Sequence, residues 1–509
     1  MNNKTTNSEQ LKQAIEFHQQ GQLDAASQLY QQILVVEPAH FDALHFSGVI
    51  EQQRGNPREA IQLIQQALQT VTTVFTIEHA SAFCNLGSAL NDIGAYQHGL
   101  NNLEIAIELK PNYAIAHNNR GNSLKHLGRI QQAITSYRTA LLHQPNYSEA
   151  MYNCAVAYQS INEHEQALQQ LDQVLVVRPH YAPAHFACGI SLQSLQQFSD
   201  AIASYQRAID HQPSYIEAYL NQGIAHNKLG EFEQALSSFN RLIKHAPNNA
   251  KGHLYRANSL RYLGHRDEAI AAYQLARQLG AHAPHVDFAL AALGVGSAPT
   301  APPQTYITEL FDQYADHFDE HLVNVLHYQT PEILAQLIDQ YRPEEQLISL
   351  DLGCGTGLCA NYLRPYSSTL TGVDLSPNML KQAQALGLYD ELVCGEMVGY
   401  LKEESAIDLI VAADALVYLG DLSHAFKAAH SALKPGGLLA FSVEEANALI
   451  RTDFVLKSSH RYAHTELYLI HLATEIGFDI LQINSHFARE ENQQPVNALM
   501  SIFRRRSSF

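Results

Sequence analysis

Two aspartates and three glycines in the second half of the chain are spaced as a ligand-binding turn would require. In LDLGCGTG, residues 350–357, Asp351 precedes Gly353, Gly355 and Gly357. Glycines at alternate positions let main-chain N–H groups approach a ligand with no Cβ in the way. A second acid, Asp374 in TGVDLSPNML, follows Gly357 by 17 residues, where a carboxylate at a strand end can accept both hydroxyls of a ribose. A glycine turn alone also serves nicotinamide enzymes and flavoproteins. Their fingerprint wants a further glycine or alanine where this chain has Leu358.

Further along, ADALVYLGDL (413–422) offers Asp414 and Tyr418 to orient a reacting group, and SSHRYAHTELYL (458–469) offers Arg461, Tyr462, His464 and Tyr468. His464, with an ordinary pKa near ~6.5, suits a general base. Arg461 can pair with a substrate carboxylate, flanked by Tyr462 and Tyr468. The plain alternatives are a structural histidine, in a chain with 27 of them, and an Asp414 that only caps a loop. Six scattered cysteines lack the paired spacing of a zinc site and the density of a disulfide scaffold. They read as reduced, buried thiols, and no metal is expected.

These residues need a scaffold of strands. LISLDL, TLTGVDL, YDELVCG, AIDLIVAAD and GLLAFSVEE alternate with helical stretches such as SPNMLKQAQAL and LSHAFKAAHSAL. That alternation predicts a mainly parallel sheet covered on both faces, with ligands at the carboxyl ends of the strands. ILQINSHFA and NALMSIFR, separated by REENQQPV, are expected to form an antiparallel pair. GVGSAPTAPPQT (294–305), without charge or helical period, reads as a linker.

Before the linker the chain repeats. Pro111, Pro145, Pro179, Pro213 and Pro247 recur every 34 residues, and so do Ala133, Ala167, Ala201, Ala235 and Ala269. Gly121, Ala155, Gly189, Gly223 and Ala257 form a third series of small residues. Two antiparallel helices approach closely where one presents Gly or Ala, and a proline ends the second helix of each unit. Gly48 and Gly87 stand 39 apart, which puts five extra residues around TVTTVFTIEHA. Eight units and a closing helix, AHAPHVDFALAAL, give an array over residues 7–293, a linker over 294–305 and a second domain over 306–509. Asn85, Asn119, Asn153 and Asn221 each stand two residues before the small residue of a first helix. Such a ladder can hydrogen-bond an extended peptide; the alternative is that asparagine is simply common at that position.

Composition excludes several classes. At 509 residues and 46% hydrophobic content the chain is a multidomain globular protein. Its net charge of −18 has the wrong sign for phosphate neutralisation, so no nucleic-acid partner is expected. Neither a signal-like apolar run in MNNKTTNSEQLKQAIEF nor a bilayer-length segment is present, so a cytoplasmic location without membrane attachment is expected.

Two resemblances follow from these residues. AIAHNNRGNSLKHLGRIQQAITSYRTALLHQPN resembles tetratricopeptide repeats, in which the asparagine positions lie on or near the concave surface. LDLGCGTG, Asp374 and LKPGGLLAFS together resemble the class I methyltransferases that use S-adenosylmethionine. The resemblance implies an all-α solenoid followed by an α/β Rossmann-like domain. It implies that Asp351 and the glycine turn hold the methionine end of the cofactor and that Asp374 takes the ribose. Leu375 and Met379 would lie beside the adenine, with Glu396 near its amino group in place of the usual Asp and Met397 stacked close by. FDQYADHFDEHL resembles a covering helix, with Tyr314, Phe318 and His321 available to close over the cofactor. The order of parts resembles a group of bacterial repeat-bearing methyltransferases, for which a cofactor but no acceptor is implied. The function expected is methyl transfer to a protein or peptide recruited by the array, or to a molecule that it carries; the alternative is a scaffold whose methyltransferase fold only senses the cofactor.

Overall fold

The computed structural model describes residues 2–315, 319, 322, 326–342, 346–447, 450, 452–491 and 494–507. It divides into two compact units, Met1–Pro247 and Asn248–Phe509.

The first unit is a row of helical hairpins. Each hairpin needs its small residue. Gly121 and Gly189 lie where a Cβ would stand 2.4 Å from the ring of Tyr137 or Tyr205, sixteen positions on in the second helix. Gly87 leaves the same room for Leu103. The alanines of the second helices, Ala133, Ala167, Ala201 and Ala235, are completely buried. Helices Ile130–His143 and Phe198–His211 stop just before Pro145 and Pro213, as a residue without an N–H dictates. The five extra residues fall between helix Pro57–Gln69 and helix Ala80–Asp92, where the short turn Ile77–His79 is capped by Thr76.

The second unit begins with an eighth hairpin, Ala250–Tyr262 and Arg266–Gln278, then the helix Ala283–Ala292. Residues 294–303 run in turns and bends to helix Gln304–Tyr314. Helix Thr330–Tyr341 precedes the first strand. The sheet comprises β1 (Leu347–Leu352), β2 (Ser367–Asp374), β3 (Glu391–Cys394), β4 (Ile407–Ala412), β5 (Leu433–Glu445), β6 (Phe454–Leu456), β7 (Tyr462–His464), β8 (Phe478–Glu491) and β9 (Gln494–Arg505). β3-β2-β1-β4-β5 are parallel. β9 pairs antiparallel with β5 and with β8, so the expected closing pair is present. A β6–β7 hairpin, absent from the sequence reading, joins the carboxyl end of β5 through Glu444 and Glu445.

Neighbouring residues of β4 feed opposite faces. Ile407, Ile410 and Ala412 enter one core with Phe426, Phe441 and Phe503. Leu409 and Val411 enter the other with Leu334, Ile338 and Met500. A sheet covered on both faces needs such continuous apolar strands, and it holds the ends of β1, β2, β4 and β5 at one rim. Among the described residues no helix is long and apolar enough to cross a membrane.

Candidate functional site

The glycine turn lies directly after β1. Gly353, Gly355 and Gly357 have φ of +66°, +55° and +94°, values that a Cβ penalises. At Gly353 a Cβ would also stand 2.5 Å from that of Ala415, so the turn touches the segment that follows β4. Gly353 N and Cys354 N donate to Val373 O at 2.8 and 3.1 Å, which fastens the turn to β2.

Asp374, ending β2, is half-buried and faces the same turn. Its Oδ2 accepts from Gly355 N at 2.9 Å and its Oδ1 from Ser376 N at 2.8 Å. Burial pushes its carboxyl up, these N–H bonds oppose the shift, and the neighbouring charge of Asp312 adds to it. Asp351 is 1% exposed, and its Oδ2 accepts from Tyr389 Oη at 2.6 Å. Burial raises its pKa to about 7; the tyrosine bond works downward and the Asp374 charge upward. Asp351 is therefore enclosed directly behind the turn.

Helix Gln304–Tyr314 covers this rim. Asp312 Oδ1 accepts from Ser376 Oγ at 2.5 Å, and its carbonyl accepts from Asn378 Nδ2 at 3.2 Å. Phe311 meets the Tyr418 ring edge-on at 5.3 Å, and Thr356 donates to Asp319. The side chain of Tyr314, together with Phe318 and His321, lies outside the described residues.

Other expectations for the adenine side change. Leu375 is half-buried and Met379 is completely buried, its N–H donating to Ser376 Oγ at 3.1 Å. Glu396 is exposed, and its two oxygens accept from Val398 N and Gly399 N at 3.0 and 2.7 Å. It caps helix Met397–Glu403, and Met397 packs partly into the core. Cys394, opposite Asp374 in the β2–β3 register, is exposed, correcting the expectation of six buried thiols; the other five are buried.

On the β4–β5 side the structure assembles a charge network. Arg489, from β8 and completely buried, donates Nη1 to Asp414 Oδ2 at 2.7 Å and Nη2 to Glu444. Asp414 holds a left-handed φ of +55° and also accepts from Ser442 Oγ at 3.1 Å. Glu444 gathers Lys457 Nζ at 3.1 Å and Arg461 Nη1 at 3.7 Å. Burial pushes the Glu444 carboxyl up, yet Arg489, Arg461 and Lys457 together hold it below its ordinary value. Arg461 Nε donates to Tyr418 Oη at 3.3 Å. Asp414 is thus a clamped support, while half-buried Tyr418 and Arg461 stay at the rim.

His464 is corrected. It is completely buried, its Nε2 lies 3.0 Å from Gly420 O, and burial lowers its pKa to about 4. A ring so enclosed holds the loop and takes no proton from an acceptor. Tyr462 and Tyr468, expected to face substrate, are buried and bond Pro299 O at 2.7 Å and Leu422 N at 2.9 Å. Sequence reasoning missed Tyr389, Arg489 and Asp312. An arginine inside a long strand was the available sign for Arg489, and Asp312 stood within a segment read only for its aromatics and histidine.

In the first unit each asparagine of the ladder is half-buried and bonds the preceding hairpin. Asn85 Nδ2 lies 3.0 Å from His45 Nε2, Asn119 donates to Cys84 Sγ at 3.8 Å and Asn153 to Asn118 Oδ1 at 3.0 Å. Asn221 bonds the Tyr205 phenol.

A family profile described as a methyltransferase domain matches residues 350–441, and tetratricopeptide-repeat profiles match residues 11–73, 114–147 and 186–250. Malonyl-[acyl-carrier protein] O-methyltransferase of Pseudescherichia vulneris is 29% identical over 28% of this chain and 55% of its own length. Methyltransferase-like protein 27 of Homo sapiens is 32% identical over 32% of this chain and 69% of its own. The chain thus spans between about half and two thirds of these two relatives. A solved tetratricopeptide repeat protein from Parabacteroides merdae is 16% identical over 48% of this chain and 96% of that one, with a TM-score of 0.38.

Proposed function

Because the chain belongs to the class I methyltransferase family and carries tetratricopeptide repeats in its first half, we propose that it transfers a methyl group from S-adenosylmethionine to an acceptor that is, or is carried by, a protein recruited on the array. The observation that carries this reading is electrostatic. Asp312, Asp351 and Asp374 converge on a left-handed glycine turn, and among the described residues none of the three makes an ion pair. Mutual repulsion and burial favour a cationic ligand there. S-adenosylmethionine fits, with an ammonium and a sulfonium on one end and a ribose diol on the other. A dinucleotide, with its pyrophosphate, does not.

When bound, this cofactor supplies an electrophilic methyl group for in-line displacement. The chain's own part is alignment. Asp374 keeps lone pairs free for the diol while Gly355 N and Ser376 N fix its orientation. The turn presents backbone with no Cβ in the way. Tyr418 and Arg461 stand where an acceptor would be oriented, and Arg489 locks the Asp414 and Glu444 supports behind them. Among the described residues His464, the imidazole expected here as base, is buried, which favours an acceptor that is already anionic or easily deprotonated. The relative named as a malonyl-[acyl-carrier protein] O-methyltransferase makes an oxygen acceptor the first to test.

Calorimetry with S-adenosylmethionine, its demethylated product and a dinucleotide tests the cofactor. Heat with the dinucleotide alone sinks the reading. Methyl-labelled cofactor incubated with cell extract tests transfer; binding without transferred label favours a scaffold. For the array, replacing Asn85, Asn119, Asn153 and Asn221 with alanine should strip co-purifying proteins, and an unchanged set would argue against a peptide face.

A further inference from the structure

The segment after β4 is gripped on several sides. Gly420 N donates to Thr300 O at 2.8 Å, and Asp421 N reaches the same oxygen at 3.2 Å. His464 holds the Gly420 carbonyl. A Cβ at Gly420 would stand 2.6 Å from Phe454 Cε2 and 2.8 Å from Tyr462 Cε1, so only glycine fits against the β6–β7 hairpin. Tyr468 Oη takes the Leu422 N–H and donates to Asp421 Oδ1 at 3.1 Å.

That hairpin is clasped in turn by the last repeat. Phe288, Ala291 and Ala292 of helix Ala283–Ala292 share one buried cluster with Leu456 and Tyr462, and Tyr306 and Phe454 pack against it. Arg261, in the first helix of the eighth hairpin, donates Nη1 to Ser458 O at 2.7 Å. Tyr306 Oη and His460 Nδ1 lie 2.5 Å apart, and His460 turns the hairpin with a left-handed φ of +68°. Tyr462 Oη closes the circuit on Pro299 O at 2.7 Å. A charge-free stretch with the composition of a spacer is thus bound through two successive carbonyls.

Packed interfaces move as units and do not deform continuously. We propose that the eighth repeat hairpin, the helix that follows it and residues Pro299 and Thr300 form the positioning element for Tyr418–Leu422, so that the terminal repeat sets the geometry in which a methyl acceptor is received. The proposal deepens the methyltransferase reading and rests on it for the role of that segment. Arg261 and Tyr462 are positioning residues here, since each acts on the segment through another group.

The test uses the full chain and two mild variants, Arg261→Ala, remote from the segment, and Tyr462→Phe, which keeps the ring. Amide hydrogen exchange is followed at Gly420 and Asp421, with S-adenosylmethionine affinity by calorimetry and thermal melting as controls. Exchange at both amides should quicken about tenfold or more in each variant, with cofactor affinity within twofold and the melting temperature little changed. Unchanged exchange in both variants overturns the proposal. So does a tenfold loss of cofactor affinity, which would mean general loosening of the domain. Failure of the wild-type chain to bind S-adenosylmethionine would instead overturn the methyltransferase reading, and it shows itself before any variant is compared.

Discussion

Tyr389 donates its hydroxyl to Asp351 Oδ2 across 2.6 Å, tying the loop before β3 to the end of β1 beneath the glycine turn. The same ring lies 3.1 Å from where a Cβ on Gly357 would stand and 2.9 Å from one on Gly372. Burial, with the adjacent Asp351 charge, raises the phenol's pKa as well, so tyrosine stays the donor. The turn and its first acid are therefore set by a residue 38 positions away.

The Asp351 shift fixes a pH dependence. Its folded pKa of about 7 lies above the unfolded value, near ~3.9, so the folded chain holds this proton more tightly. Stability falls as pH rises between those values, and the cost is complete above the upper one. Asp351→Asn should melt above wild type at alkaline pH, with the gap closing in acid. Tyr389→Phe removes a bond that favours the carboxylate and should carry the falling region to higher pH. Thermal unfolding across the pH range checks both.

Asp374→Ala should weaken S-adenosylmethionine binding at least tenfold. A carboxylate hydrogen bond contributes roughly 1.5 kcal/mol or more, and the change also frees Gly355 N and Ser376 N from their acceptor. Calorimetry reads the effect; equal affinities would remove Asp374 from the site.

His464 should behave as a supporting residue. Its folded pKa of about 4 lies below the ordinary 6.5, so its contribution to stability is full above the unfolded value and is lost as pH falls toward the folded one. His464→Gln should flatten that part of the stability curve and lower the melting temperature near neutrality. A variant with an unaltered acid slope would contradict the buried, neutral imidazole.

Gly189→Ala tests the array's packing. Alanine gains about 1 kcal/mol of helix propensity, but its Cβ would stand 2.4 Å from Tyr205 Cε1, and such overpacking costs about 1–3 kcal/mol. A net loss is expected in urea unfolding, largely recovered when Tyr205→Leu is added.

The parts of this molecule written in local spacing were readable in advance. The 34-residue interval carries each helix pair because its glycines and prolines act on immediate neighbours. The alternation of strands and the LDLGCGTG turn follow in the same way from backbone sterics and burial. What sequence did not disclose is long-range pairing. Arg489 meets Asp414 from 75 positions away, and Tyr462 meets Pro299 from 163. Nothing in the period or composition of either stretch specifies those partners. His464 misled for the same reason, since a histidine beside Arg461 looks catalytic until the Gly420 carbonyl is placed against it.

Five of the six thiols are sealed in the interior, and the remaining one, Cys394, sits beside Asp374 with its Sγ 3.7 Å from Leu375 O. The wild-type protein thus carries a single addressable labelling point beside Asp374. A thiol-reactive fluorophore attached there would report ligand arrival as a change in emission, giving a screen for nucleosides that needs no knowledge of the acceptor.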